Sequence, residues 1–369
     1  MSQLSYPVSS DTTPRPTTAS LSIGAWTSRN LFAGPVHIAL TIAIAILAFY
    51  AAKFLADWAF LDATWVGGRR SDCTGGGACW AFVVNRFGQF VYGFYPPPQR
   101  WRVDLVMAAL AGGIAALLLP WTPRKRLIAV TMLTASPLVD FWLLRGGLLG
   151  LAPVETDRWG GLMLTLVVGV TGVVGSFPLG IVLALGRRSE LPAIRLMSAA
   201  FIELWRGVPL VTVLFMATVM LPFFLPHGVR FNELALALIG ITVFAGAFLA
   251  EVIRGGLQAV PRGQYEAASA LGLGYWQTTA MIVLPQALEK VIPGIVNNAI
   301  ALFKDTTLVM IVGLFDILNI AAAGAADPLW LGSNAEGYVF VGLVFWLICF
   351  GLSRYSQAVE RRLNADQRR

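Results

Sequence analysis

The sequence predicts an all-α polytopic membrane protein with about eight transmembrane helices, and three observations carry that prediction. Apolar residues make up 57% of the chain and charged residues 13%, about half the charge of a soluble globular domain. Mean hydropathy is +0.70. Apolar stretches of roughly 18 or more residues recur, long enough to cross a hydrocarbon layer about 30 Å thick. A β-barrel would show short alternating segments instead, and the sequence has none. The formal net charge of +7 comes from basic residues in short loops beside apolar runs. That pattern sets orientation in a lipid bilayer and does not point to nucleic acid.

Residues 1–34 are rich in Ser, Thr and Pro and lack an apolar core near Met1. They read as a disordered cytoplasmic leader rather than a cleavable signal peptide. Span one is about Pro35–Phe60, followed by a polar, Gly-rich and aromatic loop reaching about Arg100. Cys73 and Cys79 lie in that loop, on either side of Gly75-Gly76-Gly77. In an oxidising periplasm they can pair across a ring that glycine bends easily; otherwise they stand as two free thiols. Span two, Val103–Leu119, and a basic turn, Pro120–Arg126, lead into span three, Leu127–Leu151. Asp140 and Arg145 either pair or simply lie near the outer end of that span; Gly146-Gly147, which follow, favour the second.

Span four, Leu162–Leu185, is glycine-rich and ends at Gly186-Arg187-Arg188. Glycines inside spans allow helices to pack closely. After Ser189–Gly207 come span five (Val208–Leu225), span six (Asn232–Ile253) and span seven within Asn298–Ala323. A loop with Asp327, Pro328 and Asn334 leads to span eight, Tyr338–Leu352, and to a basic tail, residues 354–369. With both termini cytoplasmic, the internal segments hold about twice as many Lys and Arg as the external ones, as the positive-inside rule requires. The loop after span one dissents, with Arg69, Arg70, Arg86, Arg100 and Arg102.

Several chemistries are absent. No GxxxxGK[ST] loop exists to cradle ATP phosphates. The two histidines, His37 and His227, are far apart, with no HExxH or CxxC pattern and no GxSxG elbow. Metal binding and acid/base catalysis are therefore not expected.

The remaining polar residues are informative. Lys304-Asp305-Thr306-Thr307 interrupts span seven. Either Asp305 or Thr306 caps a restarted helix lining a cavity, or Lys304 snorkels from an interfacial capping box. Ahead of span five, Glu203, Trp205, Arg206, Gly207 and Pro209 suit a headgroup-level bend into a new helix. Glu251 and Arg254, three apart at the inner end of span six, can pair on one helix face.

Residues 262–285 form the most polar long interval of the C-terminal half. Ala267, Ala268 and Ala270 make a slim helix able to enter a groove on another protein. Glu266 supplies a charge, and Gly272 turns the chain. Ile282, Leu284 and Pro285 are expected to anchor a second helix against the membrane domain. An amphipathic loop lying on lipid is the plainer alternative.

These residues resemble a known family. Glu266-Ala267-Ala268, Gly272, Ile282 and Leu284-Pro285 match, spacing included, the EAA motif of ABC-importer permease subunits. ELWRGVPL (Glu203–Leu210), AEVIRGGLQAVPRGQ (Ala250–Gln264), LPQA (Leu284–Ala287) and KDTTL (Lys304–Leu308) are similar to motifs of the polar amino-acid uptake permeases. Val208 stands where Thr is usual, and Thr307 where Ser is commoner. The resemblance implies a five-helix MetI-like permease core at residues 161–353, with a cytoplasmic coupling loop at about 254–297. Ahead of it, residues 35–160 form a three-span extension with an external loop at about 61–100, which resembles the M-type subunit of general L-amino acid importers.

The resemblance further implies a pore half in a bacterial inner membrane, not an enzyme. Its implied partners are a second, Q-type permease, two ABC ATPase subunits and a periplasmic amino-acid-binding protein. ATP and Mg would sit on the ATPases, with no cofactor on this chain. Coupling falls to Glu266, Ala267, Ala268, Gly272, Ile282, Leu284 and Pro285. A substrate-pathway role falls to Lys304, Asp305 and Thr306. Glu203, Arg206, Gly207, Pro209, Glu251 and Arg254 are structural. A stand-alone channel or ion-coupled carrier is the competing class.

Overall fold

The structure, a computed structural model, describes residues 23–119, 121–147, 150–224 and 231–366. Most of the expected leader, His227 and the end of the basic tail lie outside them. The chain divides into two compact units. One holds the residues up to Ala63 with Gly75–Ala78, and the other holds Thr64–Thr74 and everything from Cys79 onward.

In the first unit, α1 (Ile23–Asn30) precedes α2 (Pro35–Ala56), which a π turn extends to Leu61. The result is a 27-residue apolar span, opened by a proline at its first position, where the missing N–H costs nothing. Part of the expected disordered leader is thus helical. The Asn30 amide donates to the Trp26 carbonyl at 2.8 Å and the Thr27 hydroxyl to that of Gly24 at 3.0 Å, which closes this short helix.

The second unit holds the other helices. The expected loop after span one is in large part folded, because α3 (Trp80–Tyr92) lies within it and buries Ala81, Phe82, Val83 and Phe90. Next come α4 (Arg100–Leu118), α5 (Lys125–Arg145) and α6 (Gly161–Arg187). α5 stops at Arg145, short of Leu151, because Gly146 and Gly147 both take positive φ. Asp140 accepts a hydrogen bond from Ser136 at 2.6 Å instead of pairing with Arg145.

The stretch before span five is itself a helix, α7 (Pro192–Gly207). It meets α8 (Leu210–Phe215) at a 103° bend. Val208 adopts extended backbone at the break, and Pro209 has no N–H to continue the first helix. α8 then loosens into a π turn, Met216–Met220. α9 (Glu233–Gln258) starts at Asn232, whose side chain accepts from the Ala235 N–H at 3.0 Å. Three short helices follow, α10 (Arg262–Ala270), α11 (Tyr275–Gln277) and α12 (Leu284–Lys290), then α13 (Ile292–Asp305), α14 (Ile317–Ala325) and α15 (Asn334–Asp366).

Among the described residues, seven helices are long and apolar enough to cross a membrane, and up to eight if the bent pair counts as one span. α6 and α9 pack side by side along most of their length. A Cβ on Gly246 would lie 2.7 Å from Leu179, and one on Gly172 would lie 2.9 Å from Ile241. Only glycine lets these backbones approach so closely. Three apolar clusters follow from this spine. One lies along the first halves of α6 and α9 with α8 (Met163, Leu164, Leu214, Ile241). A second joins α3 to α14 and α15 (Phe82, Phe90, Ile320, Trp330). The third gathers the last turns of α6 and α9 around α12 (Leu183, Ile253, Leu257, Ala287).

Candidate functional site

The EAA segment forms a knob at the end of the spine where α6 and α9 finish. α10 closes with two hydrogen bonds, Gly272 N–H to the Ser269 carbonyl at 3.0 Å and Leu273 N–H to that of Ala268 at 3.1 Å. Gly272 sits between them with φ +74°. This is the Schellman ending of a helix, in which the residue after the cap takes a left-handed conformation. Of the residues expected to couple, Glu266 and Ala267 are exposed, whereas Ala268 is fully buried.

The expected anchor is met in part, since Leu284 packs at the edge of the third cluster. Pro285 is exposed, and Ile282 and Leu284 are half-buried. The side chains that enter the third cluster's core are Val283 and Ala287. The π turn Thr278–Val283 rotates the helix, so its inward face falls on these neighbours of the motif residues. Ala287 reaches α9 because Gly256 gives way, since a Cβ there would stand 2.5 Å from the Ala287 carbonyl oxygen. The glycines of Arg254-Gly255-Gly256 were legible in the sequence, but this reason for the second of them was not.

Polar links complete the attachment. Arg188 donates to the Leu257 carbonyl and to the Tyr265 hydroxyl, both at 3.0 Å, with its guanidinium 5.7 Å from the Tyr265 ring centre. Lys290 donates to the Ala259 carbonyl at 3.0 Å, and Gln286 to Gln264 at 3.1 Å. The opposite face carries Leu271, Tyr275, Trp276 and Met281, each 60–77% exposed. So large an apolar surface beside Glu266 has the character of a contact site. A groove of about 900 Å³ runs between the knob and the elbow from α6 to α7, lined by Arg188, Tyr265, Trp276 and Thr279 among others.

Glu251 and Arg254 pair at 2.7 Å, and the structure widens that pair into a network. Arg187, at the end of α6, contacts Glu251 at 2.6 Å and Glu203 of α7 at 3.1 Å. The two sequence motifs around Glu203 and Glu251 thus share one arginine. Arg206 takes no part among the described ion pairs; its guanidinium lies 5.4 Å from the Phe248 ring centre. Gly207 and Pro209 flank the 103° bend.

Span seven is broken within Lys304–Thr307, as the sequence suggests, though the restart lies further on. α13 ends at Asp305 and passes into a 3-10 stretch, Thr306–Val312, without a side-chain cap from either Asp305 or Thr306. The Thr306 hydroxyl donates to the Phe303 carbonyl at 2.8 Å and is buried. Lys304 is exposed and Asp305 half-buried. The restart comes after Gly313 (φ +80°), where Asp316 caps α14 by accepting from the Asn319 N–H at 3.0 Å. Asn319 in turn donates to the Thr307 carbonyl at 3.0 Å, and Thr165 of α6 accepts from the Ile317 N–H at 3.2 Å. Asp316 is fully buried. The signal in the sequence is FDILN, a short acidic residue three before an amide side chain.

Cys73 and Cys79 are joined as a disulfide, with Cα atoms 5.6 Å apart. No group of three or more His, Cys, Asp or Glu side chains that could hold a metal occurs among the described residues.

The family model described as "Binding-protein-dependent transport system inner membrane component" matches residues 176–365. The chain is 50% identical over 342 residues to the inner membrane amino-acid ABC transporter permease protein YhdY of Escherichia coli K12, covering 93% of each. It is 40% identical, across the whole of both chains, to the glutamate/glutamine/aspartate/asparagine transport system permease protein BztC of Rhodobacter capsulatus. The glutamate/aspartate import permease protein GltK of Escherichia coli O6:H1 is 34% identical over 208 residues, which is 91% of that protein and 55% of this chain. The longer relatives therefore share the N-terminal extension, while the shorter one spans about the length of the core. The chain belongs to the family of binding-protein-dependent transport system inner membrane components, as a multi-pass permease subunit of the extended form.

Proposed function

We propose that this chain forms half of the translocation pathway of an ATP-driven importer for L-amino acids. Its other half is a Q-type permease, a periplasmic binding protein delivers substrate, and two ATPase subunits carry the ATP and Mg. The chain itself binds no cofactor. Both termini and the EAA knob face the cytoplasm, as the Lys/Arg distribution favours. The observation that carries this reading is the knob. Its inner face is bolted to α6 and α9 through Val283, Ala287, Arg188 and Lys290, while Glu266, Ala267 and Leu271 stand free for a partner. The amino-acid substrates named for YhdY and BztC support the substrate class.

ATP-driven closure of the partner subunits would push the knob and bias the membrane helices between two global states. Lys304 and Asp305 supply opposite charges at membrane depth, suited to the carboxylate and ammonium of an amino acid. Thr306, turned back on its own helix, supports the backbone there. The test is reconstitution in proteoliposomes. The complete complex should take up L-amino acids only with ATP and binding protein, and this chain alone should neither hydrolyse ATP nor transport. Uptake by the chain alone would replace this reading with a carrier or channel. Competition with a panel of L-amino acids would then define the substrates.

A further inference from the structure

We infer that the disulfide-closed segment of the N-terminal extension is a redox-sensitive clamp on the loop between α14 and α15 of the permease core. The contact is polar, specific and centred on one carboxylate. Glu336, in the first turn of α15, is 2% exposed. One of its oxygens accepts from the Cys79 N–H at 2.8 Å and from the Arg70 guanidinium at 2.9 Å. Its other oxygen is buried without a hydrogen-bond partner among the described residues. A buried carboxylate so placed depends on the few donors it has.

Both donors are set by the disulfide. Cys79 is itself half of it, and Arg70 opens the short turn that ends at Cys73, whose N–H donates to the Arg70 carbonyl at 3.0 Å. The same segment and the α3 helix that follows it grip the loop at three more points. The Arg70 N–H donates to the Leu329 carbonyl at 2.8 Å, and Trp330 packs on Phe82 of α3 with ring centres 5.7 Å apart. Arg86 of α3 pairs with Asp327, which also accepts from the Leu329 N–H. The held loop runs on from α14, whose Asn319 bonds Thr307. The clamp thus fixes the far side of the segment that the proposed function places in the pathway, and only that last link rests on the proposal.

Reduction by a dithiol breaks the S–S bond. Two electrons and two protons pass to Cys73 and Cys79 as thiols, and the dithiol closes to its own cyclic disulfide. The fixed spacing between Arg70 and the Cys79 N–H is then lost, and the buried Glu336 charge drives the loop outward. The test is hydrogen exchange on the full-length purified protein, with and without dithiothreitol. Reduction should raise exchange across residues 326–337 by about tenfold, the loss expected when a hydrogen bond to a buried charge goes. Cys73→Ser should match reduced wild type and no longer respond to the reagent. In Arg70→Ala/Glu336→Gln the loop should already exchange fast, and reduction should add little. Exchange changes confined to residues 70–80, with 326–337 unaffected in reduced wild type, would overturn the clamp. So would an equal effect of reduction in wild type and the double variant. Because reduction acts on folded wild-type protein, the test holds even where a variant fails to fold.

Discussion

Gly272 offers the sharpest test of how the knob is built. Its φ of +74° costs glycine nothing, but a left-handed L residue costs roughly 1–2 kcal/mol. A Cβ placed there meets no atom within 4 Å, so the penalty is conformational and owes nothing to crowding. Gly272→Ala should therefore weaken the Schellman ending by about 1 kcal/mol, and Gly272→Val by more, since a β-branched residue tolerates positive φ least. Gly272→Asn should be close to wild type, because Asn enters this region far more readily. A cost of one or two kcal/mol lowers the ratio of closed to open knob by a factor of about 5–30, without touching the membrane spans. The assay is ATP hydrolysis and substrate uptake in the reconstituted complex, read as a ratio. The expected order of coupling is Gly, Asn, Ala, Val, with membrane insertion equal in all four. Normal coupling in Gly272→Val would refute the role of the turn. Equal damage from Asn and Val would show that side-chain volume matters there, not φ.

Four further outcomes follow from the structure. Gly256→Val should detach α12 from α9 and abolish coupling, because its Cβ would fall 2.5 Å from a carbonyl oxygen; accessibility of a cysteine introduced at buried Val283 reads the detachment. Glu251→Gln should destabilise the detergent-solubilised protein by on the order of 2 kcal/mol in thermal unfolding, since it leaves Arg187 and Arg254 facing each other. Glu203→Gln, at a side chain 67% exposed, should cost under about 1 kcal/mol. Asp327 is held below the ordinary carboxylate range, first by the Leu329 N–H and then by Arg86. A depressed folded value contributes stability that is complete above the unfolded pKa of about 3.9 and is lost as pH falls through the folded one. The protection factors of the loop from Asp327, which take out the intrinsic pH dependence of amide exchange, should stay level between about pH 5 and 8 and fall only on acidification below that window.

The sequence made some elements plain and hid others for identifiable reasons. Long apolar runs such as Gly161–Arg187 and Glu233–Gln258 have no other stable conformation at membrane depth, so their existence was legible. The knob's turn was legible too, because a glycine after a small-residue helix has few alternatives to a C-terminal ending. α3 was hidden, since its buried face of Ala81, Phe82, Val83 and Phe90 is too short to stand out from a loop crowded with aromatics. Of the expected anchors Leu284 packs at the edge of the third cluster, while Val283 and Ala287 enter its core, because a π turn, which carries no composition signal, shifts the helical phase before Leu284. The sequence offers Asp305 or Thr306 as the cap of a restarted helix, or a capping box with Lys304 at the interface; the cap at Asp316 is hidden because seven residues of 3-10 helix look like α-helix in any periodicity. The network at Arg187 was half legible. The i, i+3 pair of Glu251 and Arg254 follows from helix geometry alone, but Glu203 and Arg187 meet only through tertiary packing.

The distribution of regular and irregular helix separates parts that carry a push from parts that yield to one. α6 and α9 are unbroken over 27 and 26 residues and interlock through Leu179 on Gly246. Ala287 seats the knob on the end of this pair, and Thr165, near its other end, holds the Ile317 N–H. A displacement at the knob therefore reaches the start of α14 through continuous helix. The elements packed against the spine are interrupted. The chain bends by 103° between α7 and α8, unwinds to a π turn at Met216–Met220, and tightens to 3-10 helix at Thr306–Val312. Such departures from α geometry are where helices give way. Hydrogen exchange on the assembled complex should then be slowest in the middle turns of α6 and α9. It should be at least about tenfold faster at 216–220 and 306–312, with nucleotide changing protection in the second group and not in the first. Uniform protection across all four segments, or a nucleotide effect concentrated in α6, would mean that the spine itself deforms and that the breaks are fixed shape rather than hinges.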